Sequence, residues 1–290
     1  MTSAWHWFVI VGTLGSLAAM GWLLLANRQA ATKPHEAHEW DGISELDTPL
    51  PMWWVGMFVA SIVFALGYLV YYPGLGNYAG TSEWRSTDRV SADQQAHAAR
   101  FEPLYAELNA LPDAELAADR RARQIGRRLF LNHCSTCHGV AGQGSFGFPN
   151  LTDSEWIWGS GLSNVQTAIL NGRTAAMAPW LAALGEDGVQ DAAQFVRSLS
   201  NQEHDVAAAE RGKAHYQTLC IACHGPAGTG NPLLGAPDLT NDIWLYGGSL
   251  EQIAFTVRNG RNGNMPAHAE MLGTNKARIL ASYVNSLSAQ

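Results

Sequence analysis

Cys134-Ser135-Thr136-Cys137-His138 and Cys220-Ile221-Ala222-Cys223-His224 carry the strongest chemistry in this sequence. Two thiols separated by two residues can each add across a vinyl group of one haem, and the adjacent histidine then faces the iron as proximal ligand. Each pentapeptide therefore predicts one covalently attached haem c. The rival chemistry is zinc, since Cys134, Cys137, Cys220 and Cys223 supply a complete tetrahedral thiolate set. That reading leaves the histidine after each pair unexplained. All four cysteines of the chain lie in the two motifs, so none remains for a disulfide or a separate dithiol.

A sixth iron ligand is available at matching positions. Met177 follows Asn171-Gly172-Arg173, and Met265 follows Asn259-Gly260-Arg261 at the same offset. Thioether sulfur is a soft ligand that raises the reduction potential above that of a bis-histidine iron. A methionine that merely fills a core has no reason to recur in this way. The expected axial pairs are His138 with Met177 and His224 with Met265, with His268 and Met271 as competitors for the second iron. Six-coordinate iron offers oxygen no open position, so no catalytic residue is assigned. Trp156 with Arg173, and Trp244 with Arg261, are candidate donors to the haem propionates, because indole N–H and guanidinium suit carboxylates.

The elements that must position these groups come as a repeat. Gly126, Cys134 and His138 match Gly212, Cys220 and His224 at an offset of 86; Pro149, Trp156, Arg173, Met177 and Phe195 match Pro237, Trp244, Arg261, Met265 and Tyr283 at an offset of 88. This predicts two tandem class I cytochrome c domains, 126–201 and 202–290. Each reads as helix, haem motif, Gly/Pro-rich loop, helix, methionine loop and C-terminal helix. Within each copy the terminal helices are expected to pack together, Gly126 and Phe130 against Phe195, and Gly212 and Tyr216 against Tyr283. Domains of this size have marginal cores that a held haem would complete.

The rest of the chain is an anchor and a linker. Trp5–Ala26 and Met52–Tyr72 are long enough to cross a bilayer as helices, and the second has Trp53-Trp54 at one end and Tyr68, Tyr71 and Tyr72 at the other. The fold class is mainly α: a membrane anchor over 1–80 with transmembrane helices at 5–26 and 52–72, a cytoplasmic loop 27–51, a helical linker 81–125, then the two haem domains. The first span is read as retained rather than as a signal peptide, since no basic residue precedes it. Thioether attachment takes place outside the cytoplasm, which puts the haem domains in the periplasm of a bacterial inner membrane. Arg28 and Lys33 in the loop agree with the positive-inside rule, and His35 and His38 there read as solvated. Ser91 with Gln94 signals a helix toward Leu111 that Pro103 should break or kink. Arg120, Arg121, Arg123, Arg127 and Arg128 form a run that suits anionic lipid or a partner, or simply a solvated face paired with Glu115 and Asp119. The formal charge of −7, with 16 basic against 20 acidic residues after position 80, argues against nucleic acid.

With its two spans, the loop Trp40-Asp41-Gly42-Ile43-Ser44-Glu45-Leu46-Asp47-Thr48-Pro49-Leu50-Pro51 before Trp53-Trp54, the exit Tyr72-Pro73-Gly74-Leu75-Gly76 and the two haem motifs, the chain resembles the dihaem subunit (subunit III) of cbb3-type cytochrome c oxidase. Thr48 and Met52 depart from the family pattern, at positions away from any haem ligand. The resemblance implies a membrane-anchored electron-entry subunit. Such a subunit accepts electrons from a cytochrome c donor and passes them to the monohaem subunit and to the catalytic haem-copper subunit, where oxygen is reduced with proton pumping. Two rivals share the motifs: a dihaem subunit of another periplasmic enzyme such as a quinone-linked dehydrogenase, and a gas-sensing cytochrome.

Overall fold

The computed structural model describes residues 2–27, 38–45 and 50–288. Most of the expected cytoplasmic loop, with Arg28, Lys33, His35 and Glu36, lies outside the described residues. Two compact units divide the chain, Met1–Ala99 and Arg100–Gln290.

In the first unit, α1 (Ser3–Ala26) and α2 (Met52–Tyr71) reproduce the two expected spans to within two residues, each with mean hydropathy 2.0. They are apolar all round, and Leu24 and Val55 are their only buried side chains among the described residues. Such a surface suits a lipid environment rather than water. Between them, β1 (His38–Trp40) and β2 (Ile43–Glu45) form a hairpin. Its two-residue loop is Asp41-Gly42, both at positive φ (50° and 84°), as a type I′ turn requires. That Asp-Gly pair signals a hairpin where sequence reading left a plain loop. After α2, His6 Nδ1 accepts a hydrogen bond from the Asn77 N–H at 2.9 Å, so the chain leaving the second span rests on the start of the first.

The next helix, α3 (Ser86–Asn109), starts earlier than the Ser91 capping signal implied and runs through Pro103 without ending. Pro103 lies on the exposed side, where the carbonyl it deprives of a donor can turn to water. The second half of α3 is not a loose linker. Its Tyr105 and Leu108 are buried with Leu116 of α4 (Asp113–Ala118), Ala122 of α5 (Arg120–His133) and Ile279 from the far end of the sequence. The Arg278 guanidinium ties this corner down, donating to the carbonyls of Asn109 and Leu111 at 3.0 Å each and to Asp113 Oδ1 at 2.6 Å.

The remaining elements follow the repeat. In the first copy they are α5, α6 (Ser135–His138), α7 (Leu162–Asn171), β3 (Arg173–Met177) and α8 (Leu181–Leu199). In the second they are α9 (Val206–His215) with a π turn at Tyr216–Cys220, α10 (Ile221–His224), α11 (Leu250–Asn259), β4 (Arg261–Met265) and α12 (Ala269–Asn285). Asp119 and Asp205 occupy equivalent N-caps, each accepting from two backbone N–H groups of the helix it starts. Those bonds hold both carboxyls below their ordinary range. A depressed native value gives stability that is present above the unfolded carboxyl range and lost as pH falls through the native value. Replacing either aspartate by alanine is expected to destabilise the chain at neutral pH, as loss of an N-cap does. In chemical denaturation, the difference from the parent chain should vanish on acidification.

The terminal helices do not close on their own repeats. Helix α8 packs against α9 and α11, and α12 packs against α5 and α7. The expected packing pairs are therefore exchanged. A Cβ on Gly126 would lie 2.5 Å from Cβ of Tyr283, and the Phe130 and Tyr283 rings stand 5.8 Å apart. In the second crossing Gly212 lies against the Asp191 backbone and Phe195, and the Phe195 and Tyr216 rings are 5.1 Å apart. Arg211 adds a two-pronged bond to the Asp191 carboxylate at 2.6 and 2.8 Å. The physical reason is the connector. Only residues 200–205 separate α8 from α9, and so short a link makes consecutive helices direct neighbours. Helix α8 is thus committed to the second repeat, and α12 takes the place it leaves.

Candidate haem sites

In the first site α5 runs straight into the motif, with Cys134 as its C-cap and α6 presenting the histidine. His138 Nδ1 lies 2.9 Å from the Pro149 carbonyl. The imidazole is thereby fixed with Nδ1–H donating, which leaves the Nε2 lone pair for a metal. Burial pushes the His138 pKa down despite that bond, so the ring is held neutral, the form that ligates. Burial likewise pushes the Cys134 thiol up to about 11. The second site repeats the arrangement: His224 Nδ1 is 3.1 Å from the Pro237 carbonyl, burial lowers its pKa, and the Cys220 thiol is raised by the same cause. The second site adds Tyr216, whose hydroxyl donates to the Gly225 carbonyl at 2.6 Å where the first has Phe130. Sequence reading passed over the two proline carbonyls, although Pro149-Asn150-Leu151-Thr152 and Pro237-Asp238-Leu239-Thr240 recur in register.

The methionines are delivered crosswise. Strands β3 and β4 pair antiparallel, with Arg173 opposite Met265 and Met177 opposite Arg261. Each strand leaves the helix of its own repeat and ends in the other repeat's core. Met265 packs on the core of Phe130, Val165, Ile169 and α12, which also holds Cys134 and Trp156. Met177 packs on the core of Val189, Ala193, Ile253 and Val257, beside Leu239 and Trp244. The expected pairs His138/Met177 and His224/Met265 are therefore not the ones this fold brings together. Backbone constraints fix the crossing. Gly172 (φ +69°) lies against the Met265 carbonyl and Gly260 (φ +71°) against the Met177 carbonyl, close approaches at dihedrals that a side chain disfavours. The His268 N–H also donates to the Ile169 carbonyl at 2.9 Å, holding the chain after Met265 on the first repeat. Met271, the other competitor, is exposed.

The arginines are unequal. Arg261 spends its guanidinium on Thr256 Oγ1, at 3.0 and 2.8 Å, and lies over the ring of Tyr246 at 4.2 Å. Arg173 lies over Trp158 at 5.1 Å, and its buried Nε has no hydrogen-bond partner. Trp158 and Tyr246 are equivalent at the repeat offset. Trp156 and Trp244 pack at the two cores.

The donor set fits haem c better than zinc. Cys134 packs on the first core while Cys220 ends the π turn after α9, and among the described residues no three His, Cys, Asp or Glu side chains converge on a point that could hold a metal ion. Two sites each combine an oriented histidine, two thiols and an inward methionine. The orphaned Arg173 Nε and the buried, unpartnered His268 Nδ1 are polar atoms awaiting an acceptor or donor.

Comparison with known proteins agrees. Residues 121–196 and 207–284 each match the family described as cytochrome c oxidase, cbb3-type, subunit III, and residues 34–79 match the N-terminal domain of cytochrome oxidase-cbb3, FixP. The cbb3-type cytochrome c oxidase subunit CcoP of Rubrivivax gelatinosus is 41% identical over 291 residues, covering 99% of this chain and 95% of that relative. The chain belongs to the cbb3-type oxidase subunit III family. Subunit FixP of Azorhizobium caulinodans is 37% identical, covering 86% of this chain and 91% of its own length, and subunit CcoP of Cereibacter sphaeroides is 34% identical over 88% and 94%. The resemblance drawn from the Trp40–Pro51 loop and the tandem motifs is borne out. Each subunit III match contains one Cys-x-x-Cys-His and one of the two methionines, so the family's unit is the sequence repeat even though the packing unit is not.

Proposed function

We propose that this chain is the dihaem electron-transfer subunit of a cbb3-type terminal oxidase. In this reading it carries one haem c on Cys134 and Cys137 and a second on Cys220 and Cys223. His138 with Met265, and His224 with Met177, would hold the two irons. The observation that supports this assignment is the antiparallel β3–β4 pairing, with Met265 packed on the core that holds Cys134 and Met177 on the core between α8 and α11 of the second repeat. Haem iron supplies reversible one-electron chemistry. The protein's part is to fix both ligands, exclude water and set the potential. The Pro149 and Pro237 carbonyls orient the histidines, Arg173 with Trp156, and Trp244 in the second site, serve the propionates, and the exchanged helices lock the two sites to one another.

Electrons enter from a cytochrome c donor and leave for the monohaem and catalytic haem-copper subunits, where oxygen is reduced to water with proton pumping. The oxygen chemistry lies outside this chain, both of whose irons are ligand-filled. Helices α1 and α2 hold it in the inner membrane with the haem domains in the periplasm. Purification of the tagged chain from detergent-solubilised membranes tests the reading. Haem b, copper and a many-spanned large subunit should co-elute. Co-elution of haem c alone, or with a quinone-linked dehydrogenase, would overturn the assignment to an oxidase.

A further inference from the structure

The acidic side chain of Glu155 reaches from the first repeat into the second. The backbone at Glu155 is fixed by its own N–H donating to Asp153 Oδ1 at 3.0 Å. Its carboxylate points out of its repeat, accepting from Asn241 Nδ2 at 2.8 Å and facing the Asp238 backbone N–H. Asn241 is held in turn, its Oδ1 accepting from the Ile243 N–H at 3.0 Å. The Asp238 N–H and the Pro237 carbonyl are two ends of one peptide unit, and that carbonyl is the partner of His224 Nδ1. A peptide is conjugated, so a negative charge at its N–H end enriches its oxygen and strengthens the bond that oxygen accepts.

The first repeat has no matching device. Asp153 and Asn241 are equivalent and make the same local turn, but Glu155 corresponds to Ile243, whose alkyl side chain brings no charge to the Pro149–Asn150 peptide.

We propose that Glu155 is a positioning residue for His224: through the Pro237–Asp238 peptide it stabilises the ferric state of the iron on Cys220 and Cys223, so that the second haem holds an electron less tightly than the first. The proposal rests on the two-haem reading above. A more electron-rich imidazole favours the ferric iron. An electron shared by the two haems is thereby drawn toward the first. The charged groups facing Glu155 are Asp238 and Asp153, both acidic, and burial together with these two raises its pKa against the pull of the Asp238 N–H and Asn241. Reduction removes a positive charge nearby and favours a proton on Glu155, so the second haem's potential should rise as pH falls.

The test uses the full chain in detergent, with two haems per chain verified by pyridine haemochrome, titrated optically against potential. Glu155→Gln should raise the electron affinity of one haem about tenfold, a shift of about 59 mV for one electron, and abolish that component's pH dependence; Glu155→Asp should restore part of both. The shift should persist with His138→Ala and disappear with His224→Ala. Two unmoved potentials, equal shifts in both, or a shift that survives His224→Ala would overturn the proposal while leaving two haems in place. Fewer than two haems per chain would instead sink the function proposed above. Should Glu155→Gln lose haem, the parent chain still decides: potentials flat for both haems between about pH 5 and 8 refute the coupling.

Discussion

A chain carrying His138→Ala together with Met265→Ala should keep about half of its methionine-to-ferric-iron charge-transfer absorbance, because both substitutions strike one haem and spare the other. His138→Ala combined with Met177→Ala should lose nearly all of it, because each haem then lacks one ligand. Pairing in chain order, His138 with Met177, predicts the reverse outcome, so the experiment separates the two by a difference as large as the remaining signal. The prediction follows from the strand register. Arg173 faces Met265 and Met177 faces Arg261 across the β3–β4 ladder. Met177 would have to leave a core that includes Trp180, Leu239 and Trp244 to reach the first motif. No variant touches the four cysteines, so thioether attachment would keep haem on the chain and the absorbance reports ligation rather than haem loss.

Why the pairing was not legible while the motifs were follows from what each signal encodes. Cys-x-x-Cys-His, the spaced methionines and the two apolar runs are local patterns, and the structure places helices where they imply. The buried face of α8, with Val189, Ala192, Ala193 and Val196, says only that this helix packs on something. Two homologous surfaces, one around Gly126 and one around Gly212, present nearly the same groove to it. Choosing between them takes the length of the 200–205 connector and the five-residue ladder, and Asn-Gly-Arg read as a loop conceals a strand. Likewise the buried role of α3 depends on Arg278 and Ile279, more than 165 residues away. The Asp119 and Asp205 caps, the Pro carbonyls and the Trp158/Tyr246 pair were all within reach of the repeat alignment. They are equivalences at the fixed offset of the repeat.

A fragment ending at Asn201 contains a complete sequence repeat and should nevertheless fail to make a His/Met haem. Its motif would attach haem, but both the sulfur ligand and the wall of the first site come from beyond the cut. Helix α12 supplies Leu272, Ala277, Leu280, Ala281 and Val284 to that core, and Ile279 to the cluster that seats α3, α4 and α5. Truncating one fully buried leucine to alanine costs about 2–5 kcal/mol, and a whole domain holds only about 5–15 kcal/mol in reserve. Leu280→Ala in the intact chain is thus a graded version of the same experiment. It should lower the denaturation midpoint and weaken the first haem's methionine bond before the second's, although Leu280 lies in the second repeat. The fragment would also expose the face of α8 that α9 and α11 cover, giving it a tendency to associate. Its charge-transfer absorbance and Soret circular dichroism decide the matter. A fragment 1–201 that shows the full signal of one His/Met haem, with cooperative unfolding, would mean that the repeats close on themselves and that the exchange of α8 and α12 does not hold the native sites together.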